Sequence, residues 1–317
     1  MDLVNIGEFE PRTVDKVERL LDLLEELERH PSLKGKLALH GGTAINLFML
    51  GIPRLSVDID VSYIGEVSRE GMLADRPAIE YGIESVARAL GYVLEPSEGG
   101  HAGRTFLLRY NGDWGVDHVK IDCIFMNRSP VMEPLMRETP LRPGALVRTF
   151  SDAELAGGKV KAFFDRVKVR DLYDVSNLKK VCERLPDEER DTFHQMLLYY
   201  ASLSACFPND FAGRPRRFSD RQGELRSQLH PMLRLSAQKP SLEELISDAD
   251  AFIANWIEPR SEGEREYLRC FARGDYRPEF LFADASMADA ASVNPEALWK
   301  LQNLRKMPRQ ADGSHEQ

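Results

Sequence analysis

Hydrophobic residues recur along the N-terminal half of the chain with two different periods. Spacings of three and four residues predict amphipathic helices, and alternation predicts strands with one buried face. The helical spacing is clearest from Val14 to Leu27, with Pro31 just past the end of the segment. Helices are predicted at residues 13–30, 43–50 and 75–90, and strands at residues 36–39, 54–63, 92–94, 105–110 and 116–125. The Asn-Gly-Asp sequence at 111–113 predicts a hairpin turn.

The second half of the chain carries only the helical period. Residues 130–143 are rich in proline and predict an extended connector. Helices are predicted at residues 152–167, 170–184, 188–206, 241–256, 260–273 and 295–307, and disorder at 310–317. A chain of 317 residues exceeds the usual single domain. We therefore expect an α+β protein with a core at residues 1–150 and a mostly helical lobe at 151–317.

Two glycines stand where the first predicted strand ends and the next helix begins, in the sequence His40-Gly41-Gly42-Thr43. Without side chains, Gly41 and Gly42 let the backbone approach a bulky anion closely. The amides and the dipole at the start of the following helix favour such an anion, and Thr43 adds a hydroxyl donor. This stretch predicts a phosphate-binding turn.

Two carboxylates follow on the next predicted strand. Asp58 and Asp60 point to the same face, about 7 Å apart along the strand, while Ile59 points to the other. Their mutual repulsion is relieved by a divalent cation, and magnesium prefers such hard oxygen ligands. Together with the glycine turn, they predict a site that binds a nucleoside triphosphate with Mg²⁺, or with Mn²⁺ in its place. The alternative is a tight turn followed by an exposed strand with solvated carboxylates.

Residues 157–184 form a basic stretch in an acidic chain, with eight basic and four acidic residues against a net charge of −9. Lys159 and Lys161 are two residues apart, so they cannot face the same way on a helix. One of them is expected to reach the triphosphate. Asp171 and Asp174 share a helical face and could orient that lysine, position the nucleotide or act as a base. The alternatives are a solvated helix face and, for the aspartates, a helix cap and ion pair.

Composition restricts the remaining possibilities. The chain is 43% hydrophobic, contains no run of eighteen apolar residues and therefore predicts no membrane span. Its first residues lack the pattern of a signal peptide. The four cysteines are far apart, which indicates reduced thiols rather than zinc ligands or disulfides. These features predict a cytoplasmic location.

The motifs resemble those of the AbiEii and MenT-type nucleotidyltransferases, the toxin halves of bacterial toxin–antitoxin and phage-defence operons. The matching residues are Gly41-Gly42-Thr43, the run Arg54-Leu55-Ser56-x-Asp58-x-Asp60, Lys159-x-x-Ala162 and Arg170-Asp171-Leu172-Tyr173-Asp174. The resemblance covers about residues 35–180. It implies a polymerase beta-like mixed sheet, nucleotide contacts from the glycine turn, Ser56 and Lys159, and catalytic roles for Asp58, Asp60, Asp171 and Asp174. Gly158 departs from the family pattern, which leaves the choice between Lys159 and Lys161 open.

The same fold commonly adds a third carboxylate on a neighbouring strand, and Asp122 is the candidate metal ligand here. The alternative for Asp122 is a salt bridge with a basic residue such as Arg109. By resemblance, the acceptor is RNA, at the 3′ end of transfer RNA, and the outcome is arrested translation and growth. A cognate antitoxin is an expected partner. Two other functions are considered: a nucleotide- or RNA-binding regulator without catalysis, and a metal-dependent glycosyltransferase.

Overall fold

A computed structural model describes residues 6–209 and 211–306, so the disorder predicted at 310–317 lies outside the described residues. Within them, seven strands form one mixed sheet in the order β3-β4-β5-β2-β1-β7-β6. The strands are β1 (Leu37–His40), β2 (Asp58–Tyr63), β3 (Val93–Leu94), β4 (Gly103–Gly112), β5 (Gly115–Ile124), β6 (Leu135–Glu138) and β7 (Leu146–Thr149). Strand β2 is antiparallel to β1 and parallel to β5, which places it near the centre of the sheet.

Helices cover one face of this sheet, and they are the main elements of the described chain after β7. The N-terminal helices are α1 (Pro11–Arg29), α2 (Gly41–Phe48) and α3 (Arg69–Ala89). The later helices are α4 (Asp152–Asp165), α5 (Val169–Cys182), α6 (Asp187–Leu203), the single turn α7 (Gln222–Glu224), α8 (Leu242–Trp256), α9 (Glu262–Ala272), α10 (Ala285–Ser292) and α11 (Pro295–Lys306). None of the described helices is long and apolar enough to cross a membrane.

The buried apolar residues form two clusters. One contains the inner faces of α1, α3 and the sheet, and the other contains the helices from α4 onward. Helix α2 belongs to both, because Ala44 and Leu47 pack in the first cluster and Ile45 packs in the second. The glycine turn at the start of α2 is therefore held between the sheet and the helical part of the chain.

Several predicted elements shift or change type. Strand β2 begins at Asp58 rather than at residue 54, because Arg54 instead makes an isolated backbone bridge with Leu233. The connector predicted at 130–143 is wrong in part, since it contains β6 paired with β7. Helix α3 begins at Arg69, where Ser68 caps it, so Pro77 lies inside the helix. The hairpin turn falls at residues 113–114, two residues later than predicted.

Candidate active site

Strand pairing brings the three predicted metal carboxylates to one face of the sheet. The antiparallel register places His40 opposite Asp60, and the parallel register places Asp60 opposite Asp122. Residues opposite each other in a sheet point to the same side. Asp58 lies two residues before Asp60 on that side, while Ile59 is fully buried on the other. The predicted common face of Asp58 and Asp60 is therefore observed, and it remains open: the Asp58 side chain is 29% exposed.

Gly41 is required by the position of Asp60. Its φ of +69° lies in the left-handed region, and a Cβ at this position would lie 2.7 Å from the Asp60 Cγ. A residue with a side chain would have to displace the carboxylate as well as adopt a strained backbone. The turn thus lets helix α2 begin directly beside the Asp60 carboxylate, and the His40 side chain does not cap the first amides of the helix.

Thr43 ties the helix to the carboxylate strand. Its side chain is buried, and its hydroxyl donates a hydrogen bond to the backbone carbonyl of Asp58. A hydroxyl has a single proton to donate. The phosphate contact predicted for Thr43 would therefore need this bond to break, whereas its role in aligning α2 with β2 is present already. Ser56 lies close to the same turn, 3.1 Å from the position of a Cβ on Gly42.

A charge cluster, here called the buried charge cluster, lies behind the glycine turn. Arg54, Lys159, Asp171 and Asp174 are its buried members, and Arg166, whose side chain is 58% exposed, lies at its edge. The Arg54 guanidinium donates two hydrogen bonds to Asp174, at 2.8 and 2.7 Å. The Lys159 ammonium lies 3.0 Å from a carboxylate oxygen of each aspartate. Arg166 donates to Asp171 at 2.7 Å. Three cations against two carboxylates leave this cluster with one net positive charge.

Mutual attraction keeps the buried charge cluster ionised. Burial alone would lower the pKa of Lys159, but Asp171 and Asp174 raise it above its ordinary value. Burial would likewise raise the pKa of Asp174, but Arg54 and Lys159 hold it below the usual range. A Cβ on Gly42 would lie 3.2 Å from an Arg54 guanidinium nitrogen. The positive charge of the cluster is thus in contact with the back of the turn.

The predicted catalytic residues Lys159, Asp171 and Asp174 are brought together, but in a buried arrangement. The side chain of Lys159 is only 4% exposed, and that of Asp174 is fully buried. Lys161, the other candidate lysine, is 20% exposed and forms ion pairs with Asp165 at 2.7 Å and with Glu296 at 2.9 Å. Both lysines border the cavity beside the turn, so the choice between them stays a prediction.

Asp122 has local partners on the open face. Lys120 forms an ion pair with it at 2.7 Å, and the Thr105 hydroxyl donates to it at 2.6 Å. Arg109, the partner considered from the sequence, instead bonds Glu95 on the neighbouring strand. The alternative considered for Asp122, a salt bridge with a basic residue, is therefore observed with Lys120 and not with Arg109, while the metal role of Asp122 stays a prediction.

A cavity of about 280 Å³ separates the carboxylate end of the sheet from helix α4. The end nearest the carboxylate strand is bordered by Gly41, Asp60 and Arg166. Other lining residues include His40, Asn127, Glu154, Lys161, Tyr200 and Glu296. The cavity therefore joins the turn to groups contributed by distant parts of the chain.

The donor set fits a hard divalent cation. Asp58 and Asp60 offer carboxylate oxygens on an exposed face beside a turn that a Cβ would fill. Magnesium characteristically uses one or two carboxylates and completes its shell with phosphates and water. Among residues 6–209 and 211–306, no group of three or more histidine, cysteine or acidic side chains is arranged to hold a metal by itself. The fit is thus to a metal bound together with a triphosphate.

Two site residues had no role assigned from the sequence. Arg54 is fully buried and organises Asp174, although its position in the Arg-Leu-Ser-x-Asp run gave a signal. Glu154 accepts hydrogen bonds from the amides of Val131 and Met132 and from the Tyr200 hydroxyl. Burial raises the pKa of Glu154 to about 7, against the opposing effect of these hydrogen bonds. Its partners come from distant segments, so no local motif could reveal it.

The basic stretch is only partly available to a ligand. Lys179 is paired with Asp248 at 3.1 Å, and Arg166 belongs to the buried charge cluster. Arg217 lies in the short segment Arg214–Phe218 after α6, and it donates to the backbone carbonyl of Phe164 at the end of α4. Arg170 lies 3.7 Å from Asp58, beside the open carboxylate face. Charge counted along the sequence therefore overestimates the free positive surface.

The mixed sheet, its open carboxylate face and the helical lobe together define a nucleotidyltransferase fold, and solved structures agree. MenT4, a nucleotidyltransferase toxin from Mycobacterium tuberculosis H37Rv, gives a TM-score of 0.54 at 15% identity, covering 89% of this chain and 92% of that chain. A proposed nucleotidyltransferase from Helicobacter pylori gives 0.51 at 16% identity, with 78% and 96% covered. At such identities, the likeness shows the fold alone.

The family model of the nucleotidyl transferase AbiEii toxin, from type IV toxin–antitoxin systems, matches residues 22–255. This is well over half of the chain, and the protein belongs to that family. The resemblance and the fold class predicted from the sequence are thereby confirmed. No curated protein matches the chain significantly.

Proposed function

We propose that this protein is a metal-dependent toxin that transfers a nucleoside monophosphate from a nucleoside triphosphate to an acceptor hydroxyl. The observation that carries this proposal is the half-buried pair Asp58 and Asp60, held on one strand face against the glycine turn at the start of α2. In the reaction, the acceptor oxygen bonds to the α-phosphorus. The bond from that phosphorus to pyrophosphate breaks, and the acceptor proton passes to a base.

Phosphate binding is assigned to the turn and to the charge behind it. Gly41, the first residue of α2, borders the cavity beside Asp60, and a helix start favours negative charge. The net positive charge of the buried charge cluster adds to this field through Gly42. Lys159 thus stabilises the negative charge of the triphosphate from behind the turn. The alternative is direct contact of Lys159 or Lys161 with a phosphate.

Asp58 and Asp60 would hold the magnesium ion, with Asp122 as the candidate third carboxylate. When bound, the ion neutralises phosphate charge and polarises the reacting phosphoryl group. Arg170 is close enough to Asp58 to balance its charge before substrate binds. Asp171 and Asp174 are committed to three cations, so we assign them to positioning Lys159 and Arg54. An acidic group of the open face is then left to receive the proton.

The acceptor and the biological outcome rest on the family. Its description as a type IV toxin supports a cognate antitoxin and arrested growth. We propose RNA, at the 3′ end of transfer RNA, as the acceptor, with blocked translation as the consequence and the cytoplasm as the site of action. The enzyme class is then that of the nucleotidyltransferases, which transfer a phosphorus-containing group.

The test is incubation of the protein and Mg²⁺ with each α-labelled nucleoside triphosphate, together with total RNA. We expect label in a small RNA and release of pyrophosphate. Binding of nucleotide without label transfer would instead indicate a regulator that has lost catalysis. Consumption of a nucleotide-sugar, with no transfer from any triphosphate, would indicate a glycosyltransferase.

A further inference from the structure

A second cavity, of about 220 Å³, lies on the far side of the segment that precedes the carboxylate strand. Its lining contains four basic side chains, Arg226, His230, Arg234 and Lys239, against one acidic side chain, Glu10. Such a concentration of basic groups around a concave surface is unusual in a chain with a net charge of −9. The cavity plays no part in the nucleotide site described above.

The charged side chains of this cavity differ in whether they already have hydrogen-bond or ion-pair partners. Arg234 is paired with Glu8 at 3.0 Å and also bonds the backbone of Ile52. Arg226 and Lys239 are exposed, and neither has an ion-pair or hydrogen-bond partner within residues 6–209 and 211–306. Glu10 uses its carboxylate to cap helix α1 through Thr13. Two positive charges therefore remain available to a ligand.

His230 reports the same positive potential independently. Its Nε2 atom is buried and has no hydrogen-bond partner in the described part of the chain. Burial, Lys239 and Arg226 lower the pKa of His230, against the opposing effect of a hydrogen bond with the backbone of Pro240. An anion in the cavity would favour the protonated imidazole, whose Nε2–H would then donate to it.

The cavity is linked to the metal site by backbone pairing. Leu233 forms an antiparallel bridge with Arg54, and the Leu55 amide donates to the Met232 carbonyl at 2.8 Å. Four residues from Arg54 to Asp58 span at most about 14 Å, and a bridge adds about 5 Å. The cavity wall is therefore within about 20 Å of Asp58, a distance that a few nucleotides can cover. Its cations can hold backbone phosphates of a polymer whose end reaches the metal site.

We propose that this cavity, defined by Arg226, His230, Arg234 and Lys239, binds phosphodiester groups of the nucleic-acid acceptor and anchors it while its end enters the active site. The proposal rests on the proposed nucleotidyl transfer to RNA, and adds where the acceptor is held. It places the anchor on the segment after α7, rather than on the basic stretch at 157–184, where Lys179 and Arg166 are already paired.

The test compares the parent protein with the double variant Arg226→Ala and Lys239→Ala. The control variant, Lys34→Ala with Arg69→Ala, also removes one lysine and one arginine from exposed positions, outside the cavity. Affinity for a 12-nucleotide single-stranded RNA is measured against salt. Each lost contact between the protein and a phosphate of single-stranded RNA makes the slope of log affinity against log salt concentration smaller by about 0.7. We expect the cavity variant to bind about tenfold more weakly, with a slope smaller by about 0.7–1.4, and the control to match the parent.

Equal slopes for the cavity variant and the parent would overturn the proposal, and would leave an acidic protein segment as the better occupant. An equal loss in the control variant would also overturn it, since general charge would then explain the effect. Label transfer is measured on the same samples, with a nucleoside alone as a minimal acceptor. Absence of transfer by the parent, with the slope difference intact, would refute the proposed function but not the RNA-binding cavity.

Discussion

Gly41 lies against the carboxylate of Asp60, so that a Cβ on residue 41 would come within 2.7 Å of the Asp60 Cγ. The backbone of Gly41 is also left-handed, with φ of +69°. One residue thus combines two requirements: a conformation that glycine adopts freely, and room for the Asp60 carboxylate at a helix start. The relationship links the fold of the turn directly to the chemistry proposed for it.

Gly41→Ala is expected to reduce nucleotide transfer by at least about 100-fold, because the methyl group displaces Asp60 from the metal site. The matched control is Gly35→Ala, since Gly35 has φ of +75° but no neighbour within 4 Å of a Cβ. Both variants carry backbone strain of about 1–2 kcal/mol. Activity and thermal stability are measured for both. Similar activity losses at similar stability would show that strain, rather than contact with Asp60, explains the effect.

Substitution of Asp122 tests whether the third carboxylate takes part in catalysis. Its register with Asp60 leads us to expect that Asp122→Asn lowers transfer by at least about tenfold without unfolding the protein. Lys120→Ala is the control, because it removes the ion-pair partner of Asp122 and keeps the carboxylate. If the two variants lose equal activity, the carboxylate acts only through its ion pair with Lys120.

Lys159→Ala should reduce stability as well as toxicity. It removes a cation that is buried between Asp171 and Asp174, and such losses cost about 3–5 kcal/mol. Lys161→Ala removes two more exposed ion pairs, with Asp165 and Glu296, and should cost no more than about 2 kcal/mol. Urea unfolding gives the stabilities, and bacterial growth on expression gives the toxicity. Full toxicity of Lys159→Ala with a harmless Lys161→Ala would assign the triphosphate contact to Lys161.

Glu154 should make stability depend on pH near neutrality. Its pKa rises from 4.5 to about 7 on folding, so the folded state binds more protons between these values. Stability contributed by the protonated group is therefore present below about pH 4.5 and is lost as pH rises through 7. The loss is about 2–3 kcal/mol, and Glu154→Gln should largely remove it. Unfolding free energies at pH 5 and 8 check this; the same difference in parent and variant would contradict it.

The sequence predicted the parts of the site that depend on local pattern. Alternation placed Asp58 and Asp60 on one face, and the glycine pair marked a strand-to-helix turn, because both depend on neighbouring residues. It could not predict that Arg54 leaves the strand to bond Asp174, 120 residues away. Nor could it place β6 in the proline-rich connector, since only pairing with β7 makes that segment a strand.

The buried state of Lys159 illustrates the same limit. A lysine in a basic stretch suggests an exposed contact with phosphate, and helical spacing alone cannot distinguish the two sides of α4. Its burial follows from the packing of α5 against α4, which brings Asp171 and Asp174 to the ammonium group. Tertiary packing thus places a fixed positive charge behind the turn, and the direct contact of Lys159 with phosphate stays a prediction.

The most direct test of the central claim is metal-dependent label transfer by the parent, Asp58→Ala and Asp60→Ala proteins, each with matched thermal stability. We expect the parent to attach α-labelled nucleotide to RNA only with Mg²⁺ or Mn²⁺, releasing one pyrophosphate for each nucleotide attached. Each variant should lose at least about 100-fold, because metal coordination contributes several kcal/mol. Undiminished transfer by either variant, or transfer by the parent in excess chelator, would contradict the assignment of the carboxylate strand as the catalytic metal site.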